Sequence, residues 1–172
     1  MSDPTDKRVA DTRPHRAFYY RNVYWLWLSA AVIVADQISK QIVVNQLDLY
    51  ERVAVLPFLN LTRTHNTGAA FSMLADLAPF FFVALAVAVS IGILIWLRRN
   101  PDRERLTAIS LCLILGGALG NAIDRAARGH VIDFIDVYAA SWHWPAFNLA
   151  DSAITVGAGL ILLDMFLQWR RA

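Results

Sequence analysis

Four long apolar stretches dominate the chain: Val23–Val44, Leu77–Leu97, Leu106–Ile123 and Ala150–Trp169. Each is about 20 residues, the length a helix needs to cross a bilayer core of about 30 Å. None alternates apolar and polar positions with period two, so they predict helices, not barrel strands. The first stretch is too long for a removable signal peptide, and it follows a polar leader over residues 1–22. In the connection 45–76, Val53-Ala54-Val55 and Leu59 through Thr64 alternate in part. That pattern predicts short strands, a small sheet lying on the membrane, with Pro57 bending or ending one of them.

Composition agrees with a membrane protein. The chain is 57% apolar and 17% charged over 172 residues, against 45–50% and about 25% in an average soluble domain. A net charge of +2 is too small for a nucleic-acid binder, and one cysteine, Cys112, excludes an internal disulfide framework. The basic residues divide unevenly. Lys7, Arg8, Arg13, Arg16 and Arg21 precede the first span, Arg98, Arg99, Arg103 and Arg105 lie between the second and third, and Arg170 and Arg171 follow the fourth. Those positions hold 11 of the 16 bases, so both termini are expected in the cytoplasm and the connections 45–76 and 124–149 outside. Trp142 and Trp144 in the second outer connection suit an interfacial aromatic belt.

Charged side chains inside spans are costly and are functional suspects by default. Asp124 lies 19 residues beyond Arg105 and Asp151 lies 19 before Arg170. At about 1.5 Å per residue both stand about 28 Å above the inner surface. Asn121 and Asn148 each precede one of these acids by three residues, on the same helical face. Two adjacent carboxylates share one proton and so hold an acid and a base together. Such a pair activates one water against a peptide carbonyl without metal, serine or thiol. The alternative is that both acids cap helix ends or pair with Arg125 and Arg128.

Asp36 and Lys40, spaced i, i+4, read as an intrahelical ion pair supporting the site. Asp164 reads as an interfacial acid among basic neighbours. Asn66-Thr67-Gly68-Ala69-Ala70-Phe71 is either a turn before a helix or a place where backbone approaches a bound peptide. Asp133 and Asp136, with His130 and His143, match no metal-ligand spacing and read as exposed loop groups, so no metal or other cofactor is expected. Cys112 reads as a packed thiol. Ser72, Ser110 and Ser152 have no local base, and HExxH is absent.

Four blocks resemble the bacterial lipoprotein signal peptidase (signal peptidase II) family. They are Asp36-Gln37-Ile38-Ser39-Lys40, Asn66 through Phe71, Gly116 through Phe134 and Pro145 through Ile154. The resemblance covers about residues 23–167 and leaves the leader outside. It implies a single membrane peptidase domain over 23–169 in the inner membrane, an all-α protein of four transmembrane helices. A small extracytoplasmic β-cradle over 45–65 and a short extracytoplasmic helix over 136–146 would complete it.

The implied activity is that of an aspartyl endopeptidase. It removes signal peptides from diacylglyceryl-modified prolipoproteins, cutting just before the lipidated cysteine. Asp124 and Asp151 take the catalytic positions. Asp36, Lys40, Asn66, Gly68, Ala69, Phe71, Asn121, Arg125, Asn148 and Ala150 take the supporting and substrate-binding ones. Membrane lipid, globomycin-type peptide inhibitors and a monomeric state are expected with it. Two other classes fit less well. An exporter predicts acids near the midplane and repeat symmetry, and a scaffold gives no reason for acids matched with asparagines.

Overall fold

The computed structural model describes residues 22–68, 79–99 and 104–171. Four helices carry the fold: α1 (Leu26–Gln46), α2 (Pro79–Arg99), α3 (Arg105–Arg128) and α4 (Leu149–Trp169). A 3-10 turn over Asn22–Trp25 leads into α1. All four helices are long and apolar enough to cross a membrane. Their outward faces show why the stretches are so apolar. Val34, Ile38 and Ile42 on α1, Phe80, Leu85 and Ile91 on α2, and Leu162, Met165 and Phe166 on α4 are all exposed, a pattern that suits lipid rather than water.

α3 is the central helix and packs against the other three. It can do so because small residues face its neighbours. A Cβ added at Gly117 would collide with the Ala150 carbonyl on α4, and one at Gly116 would lie 2.8 Å from Val32 Cβ on α1. Below this contact Ile93 and Leu97 of α2 pack with Ala108, Cys112 and Leu115 of α3. Cys112 is fully buried there, as its apolar run suggested. α3 continues beyond the apolar run, which ends at Ile123, because polar residues end the hydropathy but not the helix. Gly129, at φ 78°, terminates it, donating its N–H to the Arg125 carbonyl at 3.0 Å.

The two connections beside this end of the bundle form one antiparallel sheet, in the order β1 (Arg52–Leu56), β2 (Leu59–Asn66), β3 (Val131–Ala139), β4 (Trp142–His143). Pro57 and Phe58 make the β1–β2 turn, so Pro57 does end a strand. β3 joins β2 in a long-range register that pairs Thr64 with Asp133 and Asn60 with Asp136. Val43 of α1 packs with Ile132 and Phe134 of β3 and seats the sheet on the bundle.

Segment 136–146 therefore differs from the expected short helix. It holds the end of β3 and the two residues of β4, because the β-branched and aromatic run Val131–Ala139 finds a partner in β2. Among the described residues Asp164 accepts from the Thr107 hydroxyl and the Gln168 amide. The tight α3–α4 contact predicts that Gly117→Ala destabilises the fold by about 1–3 kcal/mol, read as a lower melting temperature of the protein in detergent.

Candidate active site

The polar residues of α1 and α3 meet in a buried charge cluster. Lys40 is fully buried, and its ammonium is 2.7 Å from Asp36 Oδ2, 2.8 Å from Asp124 Oδ2 and 3.0 Å from Asn121 Oδ1. Its three donors are thus matched by three acceptors. The second oxygen of Asp36 accepts the Ala150 N–H at 3.0 Å. Asp124 Oδ1 takes Arg128 at 2.5 Å and the Gln37 amide at 3.2 Å. Two carboxylates and two cations balance, which is what allows such charges to be buried. The Asp36–Lys40 pair thus extends beyond its own helix and ties α1 to α3 and to the start of α4.

This geometry sets Asp124 apart from Asp151. Its side chain is fully buried, and both oxygens are taken by Lys40, Arg128 and Gln37. Among the described residues it shares no hydrogen-bond donor with Asp151. The acid joined to Asp151 is Asp133, on β3. Asn148 bridges them: its Nδ2 donates to Asp133 Oδ1 at 2.7 Å, and its backbone N–H donates to Asp151 Oδ2 at 3.2 Å. Asn148 is the N-cap of α4, and Asp151, three residues on, closes a capping box with it. Asn121 Nδ2 donates to Asp151 Oδ1 at 2.8 Å, and Asn66 Nδ2 donates to Asp133 Oδ2 at 2.9 Å. The three asparagines singled out in the sequence therefore hold one pair of acids. Burial, then the Asp151 charge, pushes the Asp133 carboxyl up to about 6.

Asp151 opens onto a cavity of about 780 Å³ between α2, α3, α4 and the segment Trp144–Phe147. One end is polar, with Asn66, Asn121, Arg125 and Asp151, and the rest is lined by residues such as Leu85, Val89, Ile114 and Ile154. Arg125 donates through Nη2 to the Gly68 carbonyl at 2.5 Å and lies 4.7 Å from the Phe82 ring centre, with its Nε unpartnered. Asp133 lies just behind this polar end, only 2% exposed. Ala69 and Phe71 lie outside the described residues.

Asp133 escaped the sequence reading because it was placed in a loop. The β-branched and aromatic content of Val131–Ala139 was the signal that could have put it on a strand. Asp136 belongs elsewhere: it accepts from Asn60 on β2 and from His143 on β4, and it lies 3.8 Å from Arg52 on β1. Burial raises its carboxyl, but these donors outweigh that and hold it below the ordinary carboxylate range.

Two outcomes are expected. Asp124→Asn leaves Lys40 and Arg128 short of a buried counter-charge and costs about 3–5 kcal/mol of stability, measured by thermal unfolding. For Asp133, the folded protein holds the proton more tightly than the unfolded chain does. That contribution is complete below about pH 4 and is lost as pH rises through about 6. The melting temperature of the protein should fall more between those limits than that of Asp133→Asn.

A family profile described as Signal peptidase (SPase) II matches residues 28–167. The chain is 47% identical over 154 residues to a lipoprotein signal peptidase of Alteromonas mediterranea, covering 88% of this chain and 85% of that one. It is 51% identical over 152 residues to one of Acinetobacter baumannii, covering 87% and 86%. It also superposes on a bacterial membrane enzyme solved by the in meso method at 2.3 Å resolution, with a TM-score of 0.79 and 30% identity. That match covers 88% of this chain and 93% of the other. A profile match over most of the chain, identities near one half and a shared fold have one reading: the chain belongs to the signal peptidase II family.

Proposed function

We propose that this multi-pass membrane protein is an aspartyl endopeptidase acting on diacylglyceryl-modified prolipoproteins, with Asp133 and Asp151 as its catalytic pair. The observation that carries this reading is the pair itself. Two carboxylates are bridged by one asparagine, with Asp151 lining the polar end of an otherwise apolar cavity and Asp133 buried behind it. The lipoprotein substrate follows from the names of the relatives. The apolar part of the cavity suits the signal helix and lipid chains, and the polar end suits the extended peptide beside the modified cysteine.

The chemistry needs one proton shared by the pair. We assign it to Asp133, since burial and then the charge of Asp151 oppose its ionisation more strongly than the Asn66 and Asn148 amides favour it. Entry of an apolar substrate removes further water from the site and strengthens that preference. Asp151, fixed by Asn121 and by the N-cap of α4, is the base. It takes a proton from a water whose oxygen attacks the scissile carbonyl, while Asp133 donates its proton to the developing oxyanion. As the tetrahedral adduct collapses, the C–N bond breaks, the departing amine takes the proton from Asp151, and Asp133 recovers its own. Arg125, whose side chain lines the polar end of the cavity, can offer its guanidinium to a substrate carbonyl.

Orientation follows from charge. Arg98, Arg99, Arg105, Arg170 and Arg171 lie at the helix ends opposite the sheet, so the sheet and the acids face outward in this reading. The scissile bond of a lipid-anchored substrate then meets the acids near the outer surface.

The test is cleavage of a diacylglyceryl prolipoprotein by the purified protein. Asp133→Asn and Asp151→Asn are each expected to lower kcat by about 10²–10⁴-fold with little change in melting temperature. Near-full turnover by either variant overturns the pair. An unlipidated precursor is expected to be cleaved far less efficiently, and equal kcat/KM for the two forms removes the lipid from the account.

A further inference from the structure

Charge balance alone does not explain the third contact of Lys40. Two carboxylates, Asp36 and Asp124, already flank the ammonium, yet its remaining N–H is aimed at Asn121 Oδ1 on α3, 3.0 Å away. Asn121 in turn stands between Lys40 and Asp151. An ammonium only donates and a carboxylate only accepts. An amide between them therefore has one acceptable orientation, Oδ1 to Lys40 and Nδ2 to Asp151, and that is the arrangement observed. The flipped amide would set donor against donor at one end and oxygen against oxygen at the other. Asn148 Nδ2 adds a weaker restraint on the same oxygen at 3.2 Å.

We propose that Lys40 is a positioning residue for the reaction, acting from α1 through Asn121 to aim one N–H at Asp151. The inference rests on the Asp133–Asp151 reading. Lys40 itself is sealed from the cavity at 0% exposure, so it touches neither water nor substrate. Its rigidity comes from Asp36, which is anchored by the Ala150 N–H, and from Asp124, which is anchored by Arg128 and Gln37. The charge cluster thus transmits the placement of α1 to a carboxylate on α4.

The test is a double-mutant cycle in the full-length protein, followed by kcat, KM and melting temperature with a diacylglyceryl prolipoprotein. Lys40→Met alone would strand two carboxylates, so it is combined with Asp36→Asn, which removes one charge of each sign. Relative to Asp36→Asn, the pair is expected to lower kcat about tenfold with KM changed by less than about twofold. In an Asn121→Ala background the Lys40→Met change is expected to cost less than about twofold in kcat, because the group it acts through is gone. Equal losses in both backgrounds, or an unaltered kcat in folded protein, overturn the proposal.

Should the Met variant not fold, Lys40→Gln with Asp36→Asn keeps an amide donor toward Asn121. A kcat within about twofold of Asp36→Asn supports the proposal, and a loss of about tenfold or more in folded protein overturns it. Turnover by Asp133→Asn would instead remove the catalytic pair, so the two readings fail separately.

Discussion

The ammonium of Lys40, sealed between two carboxylates, is the interaction on which the rest of this structure depends. A buried cation without partners costs many kcal/mol, and a buried carboxylate costs as much. Once α1 contributes Asp36 and Lys40, α3 has to supply Asp124 at the same level, and Arg128 has to balance the remaining charge. α4 completes the set by turning the Ala150 N–H onto Asp36. In a chain whose helices otherwise meet through small residues and apolar side chains, this cluster fixes the relative height of three helices. Apolar packing tolerates sliding, whereas a saturated set of charged hydrogen bonds does not.

The cluster also explains how Asp133 and Asp151 can lie close to a buried lysine without an ion pair to it. Lys40 spends its donors on Asp36, Asp124 and the oxygen of Asn121. The asparagines stand between. They hand on direction, as donors to Asp133 and Asp151, while the Lys40 charge acts on Asp133 only through space. One acid sits on a strand and the other at a helix N-terminus, so their separation is set by how the sheet docks on the bundle. That docking depends on Val43 packing against Ile132 and Phe134.

Much was legible along the chain. Helix number and approximate limits follow from the length and continuity of the apolar runs, because lipid demands both. The pairing of Asn121 with Asp151, and of Asn148 with its own capping box, was less accessible. The i, i+3 spacing put Asn121 beside Asp124, and Asn121 does lie on that face. Its amide nevertheless reaches across to α4, since Lys40 and Arg128 claim Asp124. Depth counting placed Asp124 and Asp151 at one height, but height along two helices says nothing about which way each side chain turns.

By itself the sequence determined the membrane class, the four helices, the family and the set of polar residues gathered at one end of the bundle. Each of these rests on local or one-dimensional properties: hydropathy over about 20 residues, turn chemistry and motif order. Only the tertiary structure decided which acids share an asparagine. Asp133 is 18 residues from Asp151 in sequence and lies in a segment that reads as a loop until β2 is available to pair with it. Strand pairing and helix contacts are long-range, and a carboxylate's role is set by the partners that arrive from them. Asp124 met cations and became part of the frame, and Asp133 met burial and a second carboxylate, which push its carboxyl up.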